Sequence, residues 1–365
     1  VSGKVSVYGD LEVINAGFVI GNSVGVDLTN GRTIESENKK GVIKADITGL
    51  TPMTRYYLKA FATTANGTTY SEAISFYTPN NEGVVDLSSE GRANSYIVPP
   101  AYSVYTIDAV KGNSNTSVGA VASAEVLWET YNTSAEVVQN SVIASAEFDG
   151  SRIKFTMPEV PVSGNAVIAA KDADGTILWS WHIWVTDYDP VATQQKYGSG
   201  AIMMDRNLGA LNNVEYDSRS YGMLYQWGRK DPFPTFLGAT FAMTYPENPM
   251  ETMEKGTYMQ TLTNPRTSFV GTDWNSDNNL WNSDKTIYDP CPSGWRVPDG
   301  NPGVWSDISS YGWNGWNGFA YISTAGLNVN YPTAGYTDSR YNSNFFGEYA
   351  YCYSCSTDPH GLYAF

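Results

Sequence analysis

Two histidines, His182 and His360, and three cysteines, Cys291, Cys352 and Cys355, are the whole stock of imidazole and thiol in 365 residues. That leaves little material for histidine-based acid–base catalysis or a histidine-rich metal site. Cys352-Tyr353-Ser354-Cys355 has Cys-x-x-Cys spacing. A redox pair of that spacing opens a helix in a βαβ unit, and no such pattern surrounds it. If residues 349–356 form a strand, Cys352 and Cys355 face opposite sides. Their Cα atoms would then lie roughly 10 Å apart, beyond the usual disulfide limit of about 7 Å. No Gly-rich phosphate loop that opens a helix and no His-Glu-x-x-His string occurs. Acid pairs are too common in so acidic a chain to nominate a glycosidase dyad, which needs defined carboxyl separations. The sequence therefore predicts a non-catalytic protein with no required cofactor.

Two clusters could bind rather than react. Asp273-Trp274-Asn275-Ser276-Asp277-Asn278-Asn279 gathers hard oxygen ligands in one loop, as calcium requires. Asp273 and Asp277 are the metal candidates, although the EF-hand spacing is absent and a solvated turn explains the string as well. Asp172-Ala173-Asp174-Gly175 reads as a hairpin turn. Trp305, Trp313 and Trp316 crowd Trp305-Ser306-Asp307 and Tyr311-Gly312-Trp313-Asn314-Gly315-Trp316-Asn317-Gly318. Exposed aromatic faces flanked by amides and carboxylates suit sugars: the ring stacks on the apolar C–H face and the polar groups bond hydroxyls. Trp305, Trp313, Asn314, Trp316, Tyr336 and Asp338 are the ligand candidates. For any single tryptophan a core position is the commoner role.

Composition narrows the partners. The net charge is −15, from 22 Lys+Arg against 37 Asp+Glu, and charged residues are only 16% of the chain. Nucleic acid is excluded as a partner, because its binding depends on cations that neutralise phosphates. Docking on anionic lipid through a basic patch is disfavoured for the same reason. No apolar run is long enough for a transmembrane helix. With 42% hydrophobic and 14% aromatic residues the chain can build cores, which argues against disorder. The first residue is Val1 and no charged-then-apolar leader follows, so the sequence reads as a mature or trimmed fragment.

The elements that must position these residues are strands. Short alternating runs rich in Val, Ile, Thr, Tyr and Phe recur between Gly, Asn, Asp or Pro every 8 to 12 residues, the pattern of packed β-sheets. Residues 1–79 show it, with an Asn66-Gly67 hairpin turn. There, Gly49-Leu50-Thr51-Pro52-Met53-Thr54-Arg55-Tyr56 resembles the E–F corner of fibronectin type III domains, in which a Leu and a Tyr, here Leu50 and Tyr56, lock the corner between two sheets. Residues 84–187 read as a second Ig-like sandwich after a Pro79–Gly83 linker. On Trp179-Ser180-Trp181-His182-Ile183-Trp184, Trp179, Trp181 and Ile183 face one way, and Ser180, His182 and Trp184 the other. One face is core; the other is expected against a neighbouring domain. Strings in this segment resemble middle domains of Bacteroidetes surface proteins.

Residues 196–365 have a different texture, rich in Trp, Tyr, Asn and Gly. Met203-Met204-Asp205-Arg206-Asn207-Leu208-Gly209, Tyr221-Gly222-Met223-Leu224-Tyr225-Gln226-Trp227 and Asp289-Pro290-Cys291-Pro292-Ser293-Gly294-Trp295-Arg296-Val297-Pro298 follow in order. Together they resemble the Fibrobacter succinogenes major paralogous domain family, which is similar to C-type lectin-like folds and occurs on secreted and surface-attached bacterial proteins. The last string also has a structural reading: Pro292 and Gly294 turn the chain and deliver Trp295 to a core, and Pro298 ends the segment. Cys291, Trp295 and Pro298 are thus structural candidates. In the family this cysteine typically pairs with one in a last strand. Either that strand is missing here, or Cys291 pairs with Cys352 or Cys355.

The expected architecture is mainly β and multidomain: two β-sandwich modules followed by a C-type-lectin-like α+β domain. The resemblance implies an extracellular location at the bacterial cell surface, with a lipid anchor in a segment outside this chain. It implies adhesion or ligand binding, to a host or dietary glycan or to a surface or matrix protein. The second reading is a structural or tip subunit of a fimbria, with other appendage subunits as partners and strand donation as mechanism. The third is an oxidase using Cys352 and Cys355.

Overall fold

The computed structural model describes residues 1–7, 11–133, 135–197, 200–214, 217–234, 251–253, 257–269 and 279–299, and the strands at 310–313, 319–324, 327–332, 336–337 and 343–344. The protein is mainly β and multidomain, and α1 (Tyr258–Thr263) is the one α-helix among the described residues. No helix among them is long and apolar enough to cross a membrane. The chain divides into two compact units, Val1–Gly83 and Val84–Phe365.

The first unit contains β1 (Ser2–Val5), β2 (Val13–Gly21), β3 (Arg32–Glu35), β4 (Gly41–Lys44), β5 (Arg55–Thr64), β6 (Gly67–Tyr70) and β7 (Ile74–Tyr77). One sheet runs β3-β2-β5-β6, and β7 continues along the same strand β5; β1 and β4 form a second, two-stranded sheet. Alternation sets the core. Ala16, Phe18 and Ile20 of β2 meet Leu58 of β5 and Ile43 of β4, with Leu50, Tyr56 and Phe76 packed against them. The corner before β5 is closed by the Tyr56 hydroxyl, which accepts the Thr51 N–H at 3.1 Å. A β5–β6 hairpin forms where Asn66-Gly67 predicts one, shifted by a residue: Thr64 pairs with Gly67, so Ala65-Asn66 is the two-residue loop, and of the Asn-Gly pair Gly67 alone has positive φ, +118°.

The second unit begins with β8 (Val84–Asp86), β9 (Ser95–Val98), β10 (Val104–Asp108), β11 (Ser123–Thr130), β12 (Ser145–Phe148), β13 (Arg152–Thr156), β14 (Gly164–Lys171) and β15 (Ile177–Val185). They form two four-stranded sheets, β12-β13-β10-β8 and β11-β14-β15-β9. Two contacts are parallel: β8 with β10 and β9 with β15. In the first sheet Tyr105 and Ile107 lie buried beside Ile153 and Phe155; β13 alternates, whereas Thr106 of β10 is buried as well. In the second, β14 and β15 are buried along nearly their whole length. A strand buried on both faces needs a layer on each side. One layer is the first sheet; the residues after Val185 supply the other. They form short pairs, β16 (Gln195–Lys196) with β17 (Ile202–Met203), β18 (Met223–Leu224) with β19 (Phe233–Pro234), and β20 (Glu251–Met253) in parallel with β21 (Thr267–Phe269). A three-stranded meander follows, β22 (Ser310–Trp313), β23 (Phe319–Thr324) and β24 (Leu327–Pro332), then β25 (Tyr336–Thr337) with β26 (Ser343–Asn344). The residues after Val185 are called the head below.

Candidate functional site

The sequence motifs of the head converge on the outer face of the β14–β15 sheet. Register places Asn165, Val167 and Ala169 of β14 opposite Trp184, His182 and Ser180 of β15, the second face of the alternation expected above. Trp184 is wholly buried among Tyr188, Met204 and Leu211, with Leu208 and Trp295 against them. Val167, Ala169, Leu127 and Trp128 pack with Met223 and Tyr225.

Ser180, His182 and Asn165 on this face are tied by hydrogen bonds, while the buried Trp184 Nε1 has no partner among the described residues. Asn165 Nδ2 donates to the Gly209 carbonyl at 2.9 Å and to Asn132 Oδ1 at 3.1 Å, and Asn132 Nδ2 reaches the same carbonyl at 3.0 Å. Asn165 Oδ1 is left to accept from His182 Nε2, 2.8 Å away, so His182 Nδ1 accepts from Ser95 Oγ at 3.0 Å. Burial holds His182 neutral, its pKa lowered to about 3. Gly209 is required here: φ is +81°, and an added Cβ would collide with the Met223 side chain.

Lys230 is the second anchor. Its ammonium, with 1% of the side chain exposed, donates to Ser180 O at 3.0 Å, Ser180 Oγ at 2.6 Å and Asp231 Oδ1 at 2.7 Å, and lies 4.6 Å from the Trp179 ring centre. Ser180 also donates to Asp231 Oδ1 at 2.6 Å. Desolvation lowers the Lys230 pKa. Serine, lysine and aspartate are the residue types of a nucleophile with its base, but Ser180 is fully buried and no substrate reaches it. The set is a joint.

The third anchor is the Cys-Pro-Ser-Gly-Trp-Arg-Val-Pro loop. The buried Asp289 carboxylate accepts the N–H groups of Cys291 at 2.9 Å and Val297 at 2.8 Å, closing the loop across its base. Gly294 has φ +80°, and the Trp295 N–H bonds Pro292 O at 3.1 Å, so the chain turns as its residues dictate. Trp295 packs, partly buried, against Trp281, Cys291 and Val297, and Pro298 follows, partly buried. Asn94 Nδ2 ties this loop to the sandwich through the carbonyls of Ile287 at 2.7 Å and Asp289 at 2.8 Å, while Asn94 Oδ1 accepts from Trp179 Nε1. Cys291 is a free buried thiol, its pKa pushed well up by desolvation. Burial likewise raises the pKa of Asp289.

The ligand candidates fall elsewhere. Trp313 is the last residue of β22 and pairs with Ala320 of β23, so residues 314–318 join the two strands. Tyr336 opens β25, in a different sheet from Trp313. Trp305, Asn314, Trp316, Asp338, Asp273, Asp277, Cys352 and Cys355 lie outside the described residues. Among the described residues no group of three or more His, Cys, Asp or Glu is placed to hold a metal ion. Sequence reasoning missed Asn94, Asn132, Asn165 and Lys230 as joint residues. Lys230 and Asp231 follow shortly after the Tyr221–Trp227 motif, but no periodicity marks a cation as buried.

No family model matches the chain, and no curated protein matches it. Two solved structures share a slight likeness. One is of the fibronectin(III)-like modules of Clostridium thermocellum CbhA, at 17% identity over 49% of this chain and 82% of that one, with a TM-score of 0.14. The other is SGBP-B of the Bacteroides ovatus mixed-linkage glucan utilization locus, in complex with a mixed-linkage heptasaccharide. It shows 13% identity over 50% of this chain and 39% of that one, with a TM-score of 0.16. Overlaps this slight leave the fold to the sheets themselves and say nothing of function.

Proposed function

We propose that the protein is a non-catalytic binding protein of a bacterial cell surface, that its head carries the ligand face, and that the ligand is a glycan. The observation that carries this reading is the β22–β23 register. With Trp313 opposite Ala320, Asn314-Gly315-Trp316-Asn317-Gly318 is the connection at one end of an antiparallel sheet. Connections run over protein surfaces and bear binding residues on a fixed scaffold. By composition, Trp313 followed by Asn-Gly-Trp-Asn-Gly is the mixture of aromatics and amides that pyranose rings take up. The buried joint supports the reading from below, because it gives the head a rigid seat rather than a hinge. His182, Lys230 and Asp289 in that joint are desolvated and internally bonded, which suits a scaffold more than a reaction centre.

The test is a glycan array probed with the full chain, followed by calorimetry with and without calcium. Binding that falls at least tenfold in Trp313→Ala and Trp316→Ala variants is the expected result. Silence across the array, or binding indifferent to both substitutions, would overturn the proposal and favour the appendage-subunit reading.

A further inference from the structure

A cleft of about 350 Å³ lies at the rim of the joint, remote in sequence from the β22–β23 connection. One wall is sandwich: Glu125 and Leu127 of β11, Lys171 at the end of β14, and Thr176 and Ile177 where the chain returns into β15. The opposite wall is the segment after α1, with Asn264 and Arg266. The charges do not cancel. Lys171 holds Glu125 at 2.5 Å. Arg266 has no acidic partner among the described residues, although acids outnumber bases by 37 to 22 in the chain. A half-buried guanidinium with no acidic partner among the described residues has the fork geometry that takes a carboxylate. The lining also holds neutral hydrogen-bonding groups, the Thr176 hydroxyl and the Asn264 amide. Leu127 and Ile177 provide an apolar floor, continuous with the packed face under Met223 and Tyr225.

We infer that this cleft binds a hexuronate unit, one or two rings long. The carboxylate lies bidentate on Arg266, ring hydroxyls bond Thr176 and Asn264, and the C–H face rests on Leu127 and Ile177. The size follows from the volume, which is near the lower end of the roughly 300–1,000 Å³ range of ligand sites. The preference for an acidic over a neutral sugar follows from Arg266, since a neutral ring would cover the guanidinium without pairing it. This site does not depend on the reading of the β22–β23 connection.

The experiment is calorimetric and saturation-transfer titration of the full chain with galacturonate and glucuronate, their dimers where soluble, and galactose, glucose and acetate as controls. Uronates bind, galactose and glucose bind at least tenfold more weakly, and Arg266→Gln weakens the uronates at least tenfold. The Asn264→Ala variant weakens them less and keeps the acid preference. Trp313→Ala and Arg266→Gln are titrated separately with the uronates, so loss at one site is told apart from loss at the other. Denaturation curves of the variants matching the parent show that folding is intact. Failure of every uronate to bind, equal binding of acetate or of the neutral sugars, or an unchanged affinity in Arg266→Gln overturns the inference.

Discussion

Acid should loosen the second unit through one residue, His182. The unfolded imidazole protonates near 6.5, while burial lowers the folded value to about 3. Its two nitrogens face Asn165 and Ser95, neither of them charged, and among the described residues no carboxylate bonds the ring to stabilise an imidazolium. The folded pKa is depressed, so the unfolded chain binds a proton that the folded one refuses. Stability is complete above pH 6.5 and is lost as pH falls toward 3. At about 1.36 kcal/mol per unit, the loss at pH 5 is about 2 kcal/mol and approaches roughly 5 kcal/mol near pH 3. All eleven tryptophans lie beyond Gly83, so their fluorescence reports the second unit alone. Urea denaturation followed by that signal at pH 7.5 and pH 5.0 measures the effect. His182→Gln keeps an amide for Asn165. It costs about 1–3 kcal/mol at neutral pH and abolishes the His182 share of the pH 7.5-to-5.0 difference. Asp289, whose raised pKa works in the opposite direction, is common to both proteins and cancels. If parent and variant lose the same stability between the two pH values, the assignment to His182 is refuted.

Lys230→Met leaves the Asp231 carboxylate buried and uncompensated, and should cost about 3–5 kcal/mol in the same fluorescence assay. Adding Asp231→Asn to it should recover part of the loss. Gly209→Ala forces a side chain into a left-handed backbone and against Met223; a loss of at least about 1–3 kcal/mol is expected, read as a lower urea midpoint. In the first unit, Tyr56→Phe removes the acceptor for the Thr51 N–H and should cost about 1 kcal/mol, with faster hydrogen exchange at Thr51 and no change in tryptophan fluorescence.

What could be read from sequence was local. The Leu50–Tyr56 corner, the Asn66-Gly67 and Asp172–Gly175 turns and the two faces of β15 each rest on residues within a few positions of one another. The alternation of Ser180, His182 and Trp184 even announced a covered outer face. The pairing of β8 with β10 and of β9 with β15 was not legible, because parallel neighbours far apart in sequence leave no local signature. Nor was the burial of Lys230, since a lysine in a Gly-Arg-Lys-Asp-Pro string looks like a solvated turn until Ser180, 50 positions earlier, is placed against it. The three bridging asparagines fail for the same reason: an amide's value at a joint depends on which carbonyls approach it. Of the ligand candidates, the strand positions of Trp313 and Tyr336 are fixed by pairing, and the register at Trp313 locates the connection that follows.

The parallel pairing of β9 with β15 has a mechanical consequence. Ser95 to Val98 runs alongside His182 to Val185 in the same direction. A load that enters the sandwich from Val84 and leaves it past Val185 therefore pulls these strands along their length in opposite senses. The four rungs between them must then shear together instead of opening one at a time. A protein that holds a ligand while being pulled gains most from that geometry, because its resistance peaks along the line on which tension acts.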